Sequence, residues 1–243
     1  MTTTTGAGPG NAEGAAVADG PERIDRFAEL VARARALTAG GERRAVLGIA
    51  GAPGAGKTTL ALAVVRALAA DPPAGMDAGW VTHVPMDGYH LADVELDRLG
   101  RRDRKGAPDT FDPAGYAALL RRLRAGCDTG PVYAPAFDRE IEQPVAGSIP
   151  VRPGCRLVVS EGNYLLVDTP EWCAVRAEFD EVWFHETDEE LRRERLVARH
   201  VRFGKTPEHA RAWVRDTDEP NARLVAATRY RADVVVACAE IPG

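Results

Sequence analysis

The run Gly51-Ala-Pro-Gly-Ala-Gly-Lys57-Thr58 fits the pattern G-x-x-x-x-G-K-[ST]. Gly51, Gly54 and Gly56 let a backbone curl until successive N–H groups converge on phosphate oxygens, with Ala52, Pro53 and Ala55 filling the turn and Thr59 following it. Lys57 then reaches β- and γ-phosphates, and the Thr58 hydroxyl is suited to Mg²⁺. The loop comes directly after an apolar run of strand type, Ala45–Ala50, and directly before a helical stretch, Lys57–Ala70. That context puts the positive end of a helix dipole behind the phosphates. The expectation is a bound nucleoside triphosphate with Mg²⁺.

Two carboxylates follow similar apolar runs. Asp87 lies in Val84-Pro-Met-Asp87-Gly-Tyr-His90, and Glu161 in Ser160-Glu161-Gly162-Asn163. In an open α/β sheet ligands bind beyond the carboxyl ends of the strands, so one cleft can hold the glycine loop, Asp87 and Glu161. One carboxylate there can hold Mg²⁺ through water, and the other can accept a proton from an attacking hydroxyl. The plainer reading is that either caps a helix or turn. His90 is a candidate contact for the acceptor, or an ordinary hydrogen-bonded histidine. A guanine-reading Asn-Lys-x-Asp segment is absent, which argues against a GTPase switch.

Arginines 192, 195, 199 and 202 follow a 3-4-3 spacing and share one helix face. Leu191, Val197, Ala198 and Val201 occupy another sector, expected to pack inward. Residues 192–211 hold seven Lys/Arg against two Glu. A helical lid over roughly 190–218 would bring guanidinium groups to the transferring phosphoryl group and exclude water, with Arg195 and Arg199 the expected contacts. A solvated, ion-paired helix face is the alternative. The basic run 98–105 suits an anionic acceptor or an exposed loop, and Asn221 suits an acceptor or lid contact or a helix start. Trp172, Trp183 and Trp213 are expected to be core or packing residues.

Apolar spacing from Ile24 through Leu37 predicts a helix ended by Gly40-Gly41. Strands are expected over 80–86, 156–160, 181–185 and 232–237, with an irregular polar stretch over 88–111. Helix starts are expected at Asp112-Pro113, at a Thr187/Glu190 capping box and at Thr206-Pro207. Short apolar strands alternating with helices indicate an α/β fold with a mostly parallel central sheet flanked by helices. Residues 1–20, rich in Thr, Gly and Ala, read as a mobile tail before one domain, 21–243.

The chain has 243 residues, with 31 Lys+Arg against 36 Asp+Glu and a net charge of −5. That sign argues against general nucleic-acid or anionic-membrane partners. The four cysteines form no Cys-x-x-Cys pair, so reduced thiols in a cytoplasmic protein are expected. A small-molecule hydroxyl acceptor is the expected partner, and a homodimer is left open.

These residues resemble, over roughly 45–238, the P-loop small-molecule kinases that include uridine kinase, phosphoribulokinase and bacterial pantothenate kinase. GAPGAGKTT resembles their Walker A loop, and Pro85-Met-Asp87-Gly-Tyr89 their Met-Asp-Gly-Phe type segment. Lys105-Gly-Ala-Pro108-Asp-Thr-Phe111-Asp112 is similar to a Lys-Gly-x-Pro segment. Pro131-Val-Tyr133 is similar to an acceptor-site element, Ser160-Glu161-Gly162 to a Walker B strand, and the 228–233 stretch to one near the adenine. The resemblance implies a P-loop NTPase fold with a helical lid, Asp87 as general base and Glu161 as the magnesium-linked carboxylate. It also implies an acceptor pocket that takes in Tyr133. Beside that implication, Tyr89, His90, Asp138, Arg139 and Asn221 are further candidate acceptor contacts. Ala134-Pro-Ala-Phe137 lacks the histidine that uridine and pantothenate kinases carry after Pro-x-Tyr. A nucleoside or sugar-like acceptor therefore ranks above pantothenate. A nucleotide-binding regulator without transfer activity is the alternative from another class.

Overall fold

The computed structural model describes residues 1, 20–40, 43–126, 130–238 and 241–242. The elements run β1 (Glu22–Ile24), α1 (Phe27–Ala36), β2 (Ala45–Ala50), α2 (Lys57–Ala70), β3 (Val81–Pro85), α3 (Asp93–Leu99) and α4 (Pro113–Ala125). An antiparallel pair follows, β4 (Val132–Asp138) and β5 (Gln143–Val151). Then come β6 (Leu157–Gly162), α5 (Pro170–Arg176), β7 (Glu181–His185), α6 (Glu189–Arg202), α7 (Pro207–Trp213), α8 (Glu219–Ala226) and β8 (Val234–Val236).

Six strands form one sheet in the order β1-β8-β7-β2-β6-β3, every adjacent pair parallel. Strand β2 is central and wholly buried, as a strand covered on both faces must be. Its alternate residues feed two cores. Val46 and Ala50 join Tyr116, Leu120 and Leu123 of α4. Ala45, Leu47 and Ile49 join Leu30 of α1 and Leu60, Val64 and Leu68 of α2. The chain leaves β2 toward β3 on one side and later returns to β7 on the other. The cleft at that divide is where such sheets hold ligands.

Several expected boundaries shift. Ile24 belongs to a strand rather than a helix, because its backbone pairs with Val236 of β8. The following helix ends at Ala36 with Leu37 as its cap, and Gly41 lies outside the described residues. Of the expected tail, residues 2–19 also lie outside them. The polar stretch 88–111 contains α3, which covers buried Leu96. Asp112 does cap α4, its carboxylate accepting from Gly115 N at 2.8 Å. The capping box at Thr187 does not form. Asp188 accepts from the backbone N–H groups of Glu190 and Leu191, while the Thr187 hydroxyl donates to Ala55 O at 2.6 Å.

Cys155, Cys173 and Cys238 are free thiols, and Cys127 lies outside the described residues. Among the described residues no helix is long and apolar enough to cross a membrane.

Candidate functional site

The glycine loop bends off the end of β2 and enters α2 at Lys57. Gly54 has φ +79°, and a Cβ added there would lie 2.7 Å from Leu196 Cγ and 2.9 Å from Arg192 O. Only glycine combines that left-handed backbone with so close an approach of α6. Lys57 is buried. Its ammonium donates to Ala52 O at 3.0 Å and to Asn163 Oδ1 at 2.7 Å. Burial pulls its pKa down to about 8, against the opposing pull of Glu161 and Asp87. The Thr58 hydroxyl donates to Glu161 Oε1 at 3.1 Å. His83 Nε2, buried and without a hydrogen-bond partner, lies 3.8 Å from the same Glu161 oxygen.

Parallel pairing sets Pro85 of β3 opposite Glu161 of β6, so the two carboxylate-bearing strand ends emerge together. Ser160 locks that register: its hydroxyl donates to Val84 O and meets Tyr116 Oη at 2.6 Å. Asp87 follows β3 in the 3₁₀ turn Met86–Tyr89. A side chain at Gly88 would collide with Pro135, so the β4–β5 hairpin rests directly on this turn. From that hairpin Arg139 donates to Asp87 Oδ2 at 3.0 Å. Burial opposes ionisation of Asp87, but His90, Arg139, Lys57 and Arg199 outweigh it and hold the carboxyl below its ordinary range. Burial in turn pushes the His90 imidazole below its usual value, against the pull of Asp87. His90 Nδ1 donates to Asp87 O at 2.7 Å, and its ring lies between Phe111 and Phe137.

Two cavities meet at the glycine loop. The smaller, about 330 Å³, is lined by Lys57, Thr58, Asp87, Glu161, Asn163 and Arg199, among others. The larger, about 1020 Å³, is lined by Ala52, Ala55, Gly56, Thr59, Arg195 and Arg229, among others. Pro53 and Gly54 face the smaller one; Gly51 lines neither, its backbone packing on His185 O.

The remaining candidates divide. His90, Arg139, Arg199 and Asn221 line the smaller cavity. Arg195 lines the larger one, on the far side of the loop from Asp87. Tyr133, Asp138 and Tyr89 line neither. Strand alternation turns Val132 and Ala134 inward and leaves Tyr133 56 % exposed. Asp138 is spent on the hairpin turn, accepting from Glu140 N at 2.8 Å. Tyr89 packs on Tyr116 at 5.2 Å between ring centroids, and burial pushes its hydroxyl up to about 12.

Along α6 the expected inward sector is reversed. Leu191 and Val201 are exposed, and the buried residues are Arg192 and Leu196. Arg192, its side chain 1 % exposed, pairs with Glu219 and Glu189 and donates to Pro53 O at 3.3 Å. These acceptors pair both terminal nitrogens of the guanidinium while its Nε stays buried without a partner, and the residue ties the helix to the loop. Trp172 and Trp183 are core residues, whereas Trp213 lines the smaller cavity beneath the Lys205 ammonium.

Sequence reasoning missed two contributors. Asn163 was visible beside Glu161, but nothing in its spacing points to Lys57. Asp218 closes the π-helical turn Val214–Asp218, a type that recurs at functional sites, and pairs with His200 at 2.8 Å. Arg102 and Lys105, from the basic run, also line the smaller cavity.

No protein-family model matches the chain. An ATP-dependent kinase-like protein of Aspergillus versicolor is 40 % identical over 133 residues, covering 52 % of this chain and 77 % of that relative. A Schizosaccharomyces pombe protein provisionally named a uridine kinase is 32 % identical over 224 residues, covering 90 % of this chain and 92 % of its own. A crystal structure from Silicibacter sp. TM1040, provisionally described as a fructose transport system kinase, matches with a TM-score of 0.76. It is 34 % identical and covers 86 % of this chain and 98 % of that one.

Proposed function

The chain belongs to the uridine kinase-like group of ATP-dependent P-loop kinases, and from that premise we propose that it transfers the γ-phosphate of ATP to a hydroxyl of a small metabolite, a nucleoside or sugar-like polyol. The observation that carries the reading is the convergence of Lys57, Thr58, Glu161 and an ionised Asp87 on one cavity at the end of the glycine loop. A regulator that only bound nucleotide would have no use for a carboxylate held charged beside the phosphate loop. The relatives named for uridine and for fructose transport point to hydroxyl-rich acceptors.

In this mechanism the base of ATP occupies the larger cavity and the triphosphate crosses the loop, with the γ-phosphate entering the smaller cavity. Backbone N–H groups of residues 54–59 and the Lys57 ammonium hold the phosphates. Thr58 and Glu161 would hold Mg²⁺ through two neighbouring oxygens, a donor set that suits the ion. When bound, the ion neutralises charge on the β- and γ-phosphates. Asp87 accepts a hydrogen bond from the acceptor hydroxyl, orients it in line and takes its proton as the bond to phosphorus forms. Its depressed pKa makes it a weak base, which fits a loose transition state where the hydroxyl proton leaves late. Arg199 faces the transferring group, where its charge stabilises the equatorial oxygens.

The test is ADP release by the wild-type protein with MgATP, with and without a panel of nucleosides, sugars and vitamins. The reading predicts acceptor-dependent ADP from at least one of them. ATP binding with no acceptor-dependent ADP across the panel favours the regulator.

A further inference from the structure

The smaller cavity has two walls that differ in how their charges are satisfied. On the wall built by α3, the turn after it and the β4–β5 hairpin, each cation already has a carboxylate. Lys105 pairs with Asp93 at 2.6 Å, Arg102 with Asp93 at 2.8 Å, and Arg139 with Asp87 at 3.0 Å. Arg199 and Lys205, on α6 and the loop beyond it, have no ion pair among the described residues. In the mechanism above Arg199 serves the transferring phosphoryl group, and the Lys205 ammonium lies over the Trp213 ring, 4.7 Å from its centroid. The first wall thus keeps no unpaired cation among the described residues.

Facing that wall, the π-helical turn and the first turn of α8 present Asp218 and Asn221 into the cavity. They are three residues apart and therefore neighbours on one helical face. Both are buried, 7 % and 9 % exposed. One Asp218 oxygen is taken by His200 Nε2 at 2.8 Å. The Asn221 side-chain amide has no hydrogen-bond partner among the described residues, and the residue lines the cavity. A molecule in that cavity can supply partners to its donors and acceptor.

Resting on the kinase reading, we propose that Asp218 and Asn221 form the wall that reads the acceptor, and that the acceptor is a neutral polyol. A hydroxyl donates once and accepts twice. One hydroxyl can donate to Asp218 while accepting from the Asn221 amide, and a neighbouring one can donate to Asn221 Oδ1. A phosphate or carboxylate on the acceptor meets the opposite conditions. On the first wall it competes with Asp87 for Arg139 and with Asp93 for Lys105 and Arg102, which share that one carboxylate. On the other wall it meets Asp218. The carbon skeleton has Phe137 and His90 to rest against.

The experiment compares ADP release with MgATP for neutral hexoses, pentoses and ribonucleosides against their phosphates and the corresponding sugar acids. It is run on wild type, Asn221→Ala and Asp218→Asn, with thermal unfolding midpoints to establish folding. A neutral polyol is expected as the best acceptor, with its phosphate at least about 100-fold poorer in kcat/KM. Each substitution is expected to raise the acceptor KM about 10-fold or more and leave the ATP KM within about twofold. Asp218→Asn keeps the shape of the site and serves if Asn221→Ala does not fold. Preference for a phosphorylated or carboxylated acceptor overturns this proposal alone, as does an unchanged acceptor KM in folded variants. Wild-type protein that binds MgATP but turns over no acceptor of either charge overturns the kinase reading, and this proposal with it.

Discussion

Replacing Asn163 by Leu removes one of the two oxygens that hold the buried Lys57 ammonium and changes little in size. Burial already brings that lysine from 10.5 to about 8, a cost to its charged form of about 3 kcal/mol. A hydrogen bond from a charged donor contributes about 1.5–3 kcal/mol, so its loss lowers the midpoint further, to roughly 6–7. Near pH 7.5 the wild-type lysine is mostly charged before nucleotide arrives, and the variant's is mostly neutral. A triphosphate needs the charged form, so the variant must take up a proton on binding. MgATP affinity should be within a few-fold of wild type at pH 6 and about tenfold weaker at pH 7.5. Above both midpoints the ratio becomes constant. Isothermal titration from pH 6 to 9 reads this directly, in buffers of different ionisation enthalpy to count protons. Linkage supplies a second sign. Between about pH 8 and 10.5 the unfolded chain keeps a proton that the buried amine has lost, so this group makes the nucleotide-free wild-type protein more stable as pH rises through that window. In the variant the window opens at lower pH. Parallel affinity-versus-pH curves for the two proteins would refute the reasoning, because Asn163 would then do nothing for the charge on Lys57.

Three other outcomes follow from the geometry. Arg199→Ala should lower kcat about 100-fold or more with a small change in ATP KM, whereas Arg195→Ala, facing the larger cavity, should act mainly on ATP KM; steady-state kinetics on both variants checks the division. Gly54→Ala forces a side chain into a left-handed backbone and against Leu196, costing about 1–3 kcal/mol or more. Its unfolding midpoint should fall by about 2–10 °C, and an unchanged midpoint would show that α6 does not rest on the loop. Glu161→Gln should raise the Mg²⁺ concentration needed for nucleotide binding about 10-fold or more, measured by titrating Mg²⁺ at fixed ATP.

The glycine loop and the two strand-end carboxylates were legible because their chemistry is local: a turn, a helix start and a polar residue ending an apolar run. What escaped the sequence depends on partners distant along the chain. Ile24 fits a helical stripe, yet its pairing with β8, more than 200 residues away, makes it strand. The spacing of the α6 arginines was correct, but periodicity does not say which face turns inward. Glu219 and Pro53 O, distant along the chain, supply the partners that let Arg192 be buried there. Tyr133 sits in a recognisable segment, but strand alternation directs it to solvent. Asn163 and Asp218 have no motif of their own and acquire a place in the cavity only through the fold.

The central claim is that Asp87 presents an acceptor hydroxyl to ATP held on the glycine loop. Its most direct test is Asp87→Asn, assayed for acceptor-dependent ADP release alongside the MgATP dissociation constant. The account predicts loss of turnover by at least about 100-fold, with nucleotide affinity within about threefold of wild type. Turnover at the wild-type rate in the folded variant would contradict it.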